Sequence, residues 1–138
     1  MLDYEFVDHT ADLGVRVSAP GRAELYAKCA LVLADLLSGP CRGPGELTRT
    51  VRVEGQDPAD LLVNFLREIL FLFYGEAFLA CAVTIQEVSG QSLTADILGE
   101  TFDPETHPVG QEIKAVTWHQ ARAAQEDGAW KAQVIFDV

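Results

Sequence analysis

The sequence predicts an α+β fold in which a mainly antiparallel sheet is packed by two helices. Two segments carry apolar residues at helical spacing, and several shorter segments alternate with a period of two. Their order is strand, strand, helix, strand, helix and then a run of hairpins, which is typical of an antiparallel α+β protein. At 138 residues, the chain has the length of one domain, which we expect to span residues 1–138.

The two predicted helices carry different end signals. The first covers residues 22–38 and stops at Gly39-Pro40. The second covers residues 57–74, with Asp57 as N-cap, Pro58 at the first helical position and Gly75 as the stop. Apolar residues cover more than half of the second helix, so it needs cover on two sides. We expect the sheet on one side and the first helix or a partner protein on the other.

The strand patterns are short alternating runs separated by turn residues. They cover residues 4–7, 15–18, 48–54, 80–88, 92–98, 113–124 and 130–138. Ser89-Gly90-Gln91 forms the turn between two of them, and Asp127-Gly128 is a strong hairpin signal between the last two.

The last strand shows the clearest alternation. Ala132, Val134 and Phe136 share one face. The other face carries Lys131, Gln133, Ile135 and Asp137. A strand paired in a sheet keeps a chain end from fraying, so Asp137 and the carboxylate of Val138 would offer fixed, hard oxygen ligands for Ca²⁺ or Mg²⁺. Residues 8–12 (DHTAD) offer a further carboxylate. The alternative is that Asp137 is only a polar residue at a chain end.

The composition is that of a globular intracellular protein. Apolar residues make up 49% and charged residues 22% of the chain. Cys29, Cys41 and Cys81 are odd in number and widely spaced, which favours reduced thiols over a disulfide framework or a zinc knuckle. Early acidic residues argue against a signal peptide, and the longest strongly apolar run, residues 69–74, is too short to span a bilayer. We expect a soluble cytoplasmic protein without membrane contact.

The charge balance disfavours direct binding to nucleic acid. The net charge is −11, from 10 basic and 21 acidic residues. Nucleic-acid binders neutralise phosphates with Lys and Arg, whereas this chain would repel them over most of its surface. Cations and basic protein surfaces are the favoured partners.

Generic catalytic motifs are absent from the sequence, including a phosphate-binding glycine loop, H-E-x-x-H and G-x-S-x-G. Acidic and histidine residues instead cluster within residues 8–12, 99–107 and 114–119. For His9, His107 and His119 the expected role is a structural hydrogen-bonded pair, and Asp103-Pro104 indicates a turn. Lys114 precedes an apolar Ala-Val pair, and its default role is that of an exposed strand lysine.

Four blocks of the sequence resemble the archease family, small acidic proteins that assist the RtcB-type RNA ligase in tRNA splicing and RNA repair. They are residues 4–14 (YEFVDHTADLG), 60–73 (DLLVNFLREILFLF), 99–107 (GETFDPETH), and 114–119 (KAVTWH) with 134–138 (VIFDV). The resemblance implies an archease-like fold and a protein that is not itself an enzyme. Such a protein promotes guanylylation of the ligase's active-site histidine and keeps the ligase turning over.

The resemblance also implies a functional centre built on a divalent cation, with calcium expected and magnesium or manganese as alternatives. Its ligands fall on Asp12, Asp137 and an oxygen of Val138, and the family's functional lysine falls on Lys114. The implied partner is the ligase protein, without direct binding to nucleic acid.

Two positions depart from the family pattern. Trp118 stands where tyrosine is common, and Asn64-Phe65 replaces a frequent Asp-Trp pair. Neither position is a ligand. The loss of the tyrosine hydroxyl is expected to alter a contact near the site.

Two other functions remain open on the sequence. One is an independent metal-dependent hydrolase that uses Asp12 and Asp137, with His9 or His119 as base. The other is a chaperone-like interaction module whose working surface is the broad apolar face of the second helix.

Overall fold

A computed structural model describes residues 2–7 and 12–138 and confirms the α+β class. The elements are β1 (Glu5–Val7), β2 (Leu13–Ala19), α1 (Arg22–Leu37), β3 (Leu47–Glu54), α2 (Pro58–Glu76), β4 (Phe78–Val88), β5 (Ser92–Thr101), β6 (Ala115–Glu126) and β7 (Ala129–Asp137). Each predicted helix and strand is present, with boundaries that differ by a few residues.

The strands are divided between two sheets, whereas the sequence pattern suggested one. The first sheet has the order β1-β2-β7-β6 and the second has the order β3-β5-β4, and all neighbours are antiparallel. Helix α1 contacts β2 and β7 of the first sheet and β4 of the second, while α2 contacts β6, β3, β4 and β5. Both helices therefore contribute to one core that the two sheets share.

The start of α2 follows the prediction, and its end does not. The Asp57 carboxylate accepts a 2.9 Å hydrogen bond from the Asp60 amide, and Pro58 opens the helix. The predicted stop at Gly75 is wrong, because the helix continues to Glu76 and ends where Ala77 adopts a left-handed conformation (φ 52°). A Cβ at Gly75 would make ordinary contact with the Phe71 ring, at 3.6 Å, so the space at this position does not require glycine.

The expected cover of α2 by the first helix is confirmed. α1 packs against α2. The buried residues of α2 are Leu61, Leu62, Val63, Phe65, Leu66, Ile69, Leu70, Leu72 and Phe73. Two aromatic residues of the helix, Phe71 and Tyr74, remain exposed. Most of the broad apolar surface of α2 is thus buried by the chain itself.

Strand β7 lies inside the first sheet, between β2 and β6. Asp127 and Gly128 both have positive φ in the hairpin that precedes it, as a two-residue type I′ turn requires. Ala132, Val134 and Phe136 are buried as predicted. Ile135, expected on the more polar face, is also fully buried, because its Cδ1 lies over Gly14, 2.9 Å from where a Cβ would stand.

Within the described residues, no helix combines the length and apolar character needed to cross a membrane.

Candidate functional site

Three strands of the first sheet bring the predicted site residues to one edge. Asp12 immediately precedes β2, Lys114 immediately precedes β6, and Asp137 is the last residue of β7. Leu13 pairs with Phe136 across β2 and β7, and Ala115 pairs with Asp137 across β6 and β7. We call Asp12, Lys114, Asp137 and Val138 the aspartate edge.

The register of β2 and β7 would put the two aspartates next to each other. The pairing of β2 with β7 ends at Leu13–Phe136, and continuing this register by one step would set Asp12 opposite Asp137. Directly opposed residues of an antiparallel pair have Cα atoms about 4.5–5.5 Å apart and point to the same face. Asp137 is exposed and Asp12 is half-buried. On this register, two carboxylates that are remote in sequence would be neighbours in the fold.

Backbone contacts hold the other two members of the edge. The Lys114 amide donates a 2.7 Å hydrogen bond to the Asp137 carbonyl, which extends the β6–β7 ladder by one bond. The side chain of Val138 is half-buried and packs against the core, so the chain is anchored on both sides of Asp137. Lys114 itself is exposed, in agreement with its default role as a surface lysine.

The donor set at this edge suits a hard divalent cation. Two carboxylates and an oxygen of Val138 are the ligand type that Ca²⁺, Mg²⁺ and Mn²⁺ prefer, and the set includes no thiolate or imidazole. Asp8 and His9 lie outside the described residues. The expected ligands therefore fit the metal that the family resemblance implies.

The chain is similar to a known protein family over a region that includes the aspartate edge. The model of the archease protein family matches residues 4–138. The chain belongs to the archease family. The protein archease of Pyrococcus abyssi is 34% identical over 100% of both chains. That of Methanosarcina barkeri is 34% identical over 98% of this chain and 95% of its own.

Solved structures agree with the archease fold. The solution structure of Methanobacterium thermoautotrophicum protein 1598 has a TM-score of 0.83 and 33% identity, with both chains fully covered. The crystal structure of an archease and possible chaperone from Thermotoga maritima has a TM-score of 0.64, covering 96% of this chain and 94% of its own. At 16% identity, this second likeness concerns the fold alone.

The residues that depart from the archease pattern contact α2 and β3. The β6 ladder skips from Thr117 to Arg122, so Trp118 leaves the register. Its indole N–H donates a 2.7 Å hydrogen bond to Asp60, and the Arg67 guanidinium lies 4.8 Å from its ring centroid. Asn64 donates to the Glu54 carbonyl at the end of β3. Trp118 therefore joins the first sheet to the N-terminal half of α2.

His107 is a structural histidine, as the sequence suggested. It is buried, and its Nδ1 accepts a 3.0 Å hydrogen bond from the Asp103 amide. In the neutral ring the proton is then on Nε2, which donates to the Glu100 carboxylate at 2.6 Å. Asp103 also accepts from the Glu105 amide, which confirms the predicted turn. His119 is exposed, and His9 lies outside the described residues.

The expectation of three reduced cysteines is wrong for this structure. Cys41 and Cys81 form a disulfide across 40 residues of sequence, and Cys29 is free and buried. Burial raises the pKa of the Cys29 thiol to about 12. A carboxylate oxygen of Glu100 and the two sulfur atoms all lie within 4.8 Å of one another. We call Cys41, Cys81 and Glu100 the cysteine cluster.

Sequence reasoning missed this cluster because its members share no local spacing. Residues 99–107, which contain Glu100 and His107, are rich in acidic residues and histidine, but nothing in the sequence links them to a cysteine. The signal that was available is the loop over residues 39–45, whose glycines and prolines allow it to lie close against the second sheet.

One surface depression lies apart from both groups. It has a volume of about 670 Å³ and crosses the outer face of the first sheet. Its charged lining residues are Asp3, Glu5, Arg16, Arg122, Glu126 and Lys131. Neither Asp12 nor Asp137 lines it, so this depression is not the candidate metal site.

Proposed function

We propose that the chain activates an RtcB-type RNA ligase in tRNA splicing and RNA repair, without being an enzyme itself. In this proposal it promotes guanylylation of the ligase's active-site histidine and so keeps the ligase turning over. The observation that carries the proposal is the convergence of Asp12, Lys114, Asp137 and Val138 at one sheet edge.

The aspartate edge is suited to presenting charge to a partner. Asp12, Asp137 and an oxygen of Val138 would hold calcium, or magnesium or manganese in its place. The bound cation would supply positive charge and spare coordination positions for a partner carboxylate or a nucleotide phosphate. Lys114 is exposed, and its backbone is hydrogen-bonded to that of Asp137. Its ammonium would meet phosphate oxygens of the partner complex as a point charge.

The overall charge favours a protein partner over RNA. A ligase cleft that holds RNA and nucleotide must be basic, and a partner of net charge −11 would be attracted to it over long range. The same charge repels free RNA. Gel-shift titration with tRNA at low salt should therefore show no appreciable binding, and sub-micromolar binding would contradict the proposal.

The direct experiment is ligase turnover with limiting ligase, GTP and a divalent metal, with and without this protein. We expect multiple turnovers only when the protein is present. The guanylylated ligase should also accumulate faster in a single-turnover assay. A ligase that is active with metal but is not stimulated by the protein would refute the proposal.

The hydrolase alternative is tested with the pure protein. The protein is incubated with calcium, magnesium or manganese and with generic ester and nucleotide substrates. Because neither Asp12 nor Asp137 lines the surface depression described above, we expect no turnover. Hydrolysis that disappears in the Asp137→Ala variant would support the hydrolase instead.

The chaperone-like alternative has one observation behind it, since the Thermotoga maritima relative is named a possible chaperone. The burial of α2 argues against it, because only Phe71 and Tyr74 of its aromatic residues remain exposed. Light scattering distinguishes a chaperone-like module from the proposed ligase activator. A chaperone-like module would suppress aggregation of unrelated proteins without metal, and we expect no suppression.

A further inference from the structure

The loop between α1 and β3 is fastened to the second sheet next to Glu100. The Arg42 amide donates to Glu100 Oε2 at 2.7 Å, and the Gly43 amide donates to Oε1 at 3.0 Å. The Glu46 amide donates to the Gly99 carbonyl at 3.0 Å. The loop approaches the sheet closely at Gly45, which has a φ of +93° and whose Cβ, if present, would stand 3.1 Å from the Gly99 amide nitrogen. The loop thus brings Cys41 over the sheet.

The strand beneath the loop presents Cys81 to the same place. Ala80 pairs with Gly99 and Ala82 pairs with Leu98, so Cys81 is the extra residue of a β-bulge. A bulge redirects a side chain out of the regular alternation of a strand. Cys81 therefore meets Cys41 and Glu100, which come from the loop and from the neighbouring strand β5.

Glu100 is held in place as a ligand would be. Its side chain is 16% exposed, and it accepts hydrogen bonds from Arg42, Gly43 and His107. A carboxylate has about four acceptor positions, so three are used and one remains for a cation. Metal-bound carboxylates are commonly oriented by such hydrogen bonds.

We propose that, once the Cys41–Cys81 disulfide is reduced, the two thiolates and Glu100 bind a zinc ion. Zinc in proteins is bound by thiolate at about 2.3 Å and by carboxylate at about 2.0–2.2 Å. Ligand atoms of a tetrahedral site lie roughly 3.3–3.8 Å apart. The three ligand atoms lie within 4.8 Å of one another here, and the two sulfur atoms, bonded in the disulfide, would have to separate to that spacing after reduction. Two sulfur ligands select zinc over the hard cations suited to the aspartate edge.

Zinc binding at the cysteine cluster requires two steps, reduction of the disulfide and loss of the thiol protons. A cellular dithiol reductant exchanges with the S–S bond: the protein disulfide takes up two electrons and two protons to give two thiols, and the reductant leaves as its own disulfide. Zinc binding then releases the two thiol protons. The loop stays attached to β4 in both states, through sulfur–sulfur bonding in one and through the metal in the other.

The test uses the full chain, reduced anaerobically with a phosphine, which is oxidised to the phosphine oxide with oxygen from water as the disulfide becomes two thiols. After removal of the reductant, the protein is titrated with Co²⁺ and then with Zn²⁺. We expect a near-ultraviolet thiolate-to-cobalt charge-transfer band that about one zinc ion per chain removes. The oxidised protein should give no such band.

Variants assign the ligands. Cys41→Ser and Cys81→Ser should each abolish the two-thiolate band, and Glu100→Gln should weaken zinc affinity by roughly 10- to 100-fold. Cys29→Ala is the matched control, since Cys29 is a free, buried cysteine of α1 that is not a member of the cluster, and it should keep the band. Asp137→Ala should also keep it, which separates this site from the aspartate edge.

Two results would overturn the proposal. One is a reduced wild-type protein that shows no thiolate-to-cobalt band. The other is a band that is lost in Cys29→Ala but retained in Cys41→Ser and Cys81→Ser. Because the oxidised and reduced wild-type proteins are compared first, the test does not depend on the folding of any variant.

Discussion

The aspartate edge and the cysteine cluster place their ligand atoms by different means. At the aspartate edge, regular strand register would bring Asp12 next to Asp137, and the ladder extends to Lys114. At the cysteine cluster, a glycine-containing loop, a bulge and a strand meet. The first site offers exposed, hard oxygen atoms, and the second offers half-buried sulfur beside an oriented carboxylate. Under the two proposals, one small fold would separate two metal preferences by ligand chemistry.

The largest expected effect concerns the two aspartates. Asp12→Ala or Asp137→Ala should weaken calcium affinity by at least about 10- to 100-fold and stop ligase activation. The free energy of unfolding without metal should stay within about 1 kcal/mol of wild type or rise, because neighbouring carboxylates repel when no cation separates them. Calorimetric titration and a ligase assay measure the two effects.

Glu87→Ala is the control for both aspartate variants. Glu87 is exposed on β4 of the other sheet, and its loss changes the net charge by the same amount. It should leave calcium affinity and activation unchanged. If both Asp variants keep wild-type affinity, the aspartate edge is not a metal site.

The second prediction tests whether Lys114 is needed for ligase activation but not for metal binding. Lys114→Ala should abolish ligase activation but leave calcium affinity and the fold intact, since an exposed lysine contributes within about 0.5 kcal/mol to stability. Lys131→Ala is the matched control, because Lys131 lies on the first sheet at the opposite end of β7. Normal activation by Lys114→Ala, or its unfolding, would remove Lys114 from the proposed function.

The third prediction distinguishes the free carboxylate of Val138 from its backbone carbonyl oxygen as the metal ligand. A peptide tag fused after Val138 keeps the backbone carbonyl and replaces a free carboxylate with an amide. If the carboxylate is the ligand, calcium titration should show much weaker binding for this form than for one with an N-terminal tag. Equal affinity of the two forms would leave at most the carbonyl oxygen of Val138 as a ligand.

The regular elements could be predicted because their signals are local. The Asp57 cap, the Asp127-Gly128 turn and the alternation in β7 each lie within a few residues, and all three are confirmed. The end of α2 at Ala77 escaped prediction because a non-glycine residue adopts the left-handed conformation there. The division into two sheets depends on long-range pairing that no local pattern specifies.

The aspartate edge could be predicted from the sequence, whereas the cysteine cluster could not. The members of the aspartate edge were named from the sequence, since chain-end alternation and family resemblance marked them individually. The pairing of Cys41 with Cys81 depends on loop closure over 40 residues and on a bulge, and neither leaves a spacing that can be recognised. The wrong expectation of reduced thiols came from counting cysteines without knowing this proximity.

The smallest expected effect is a pH dependence of stability at Glu100. Burial alone would raise the pKa of this carboxyl, but hydrogen bonds from Arg42, His107 and Gly43 outweigh it and hold the pKa below the usual 4.5. Because the pKa is lower in the folded state, the ionised carboxylate stabilises the fold fully above pH 4.5 and loses this contribution as the pH falls through the folded value. Glu100→Gln removes the ionisation and preserves the shape. In the oxidised, metal-free protein, denaturant titrations should show wild type more stable than Glu100→Gln at neutral pH, with a difference that shrinks on acidification below pH 4.5. A difference that stays constant over this range would show that the hydrogen bonds to Glu100 do not depend on its charge.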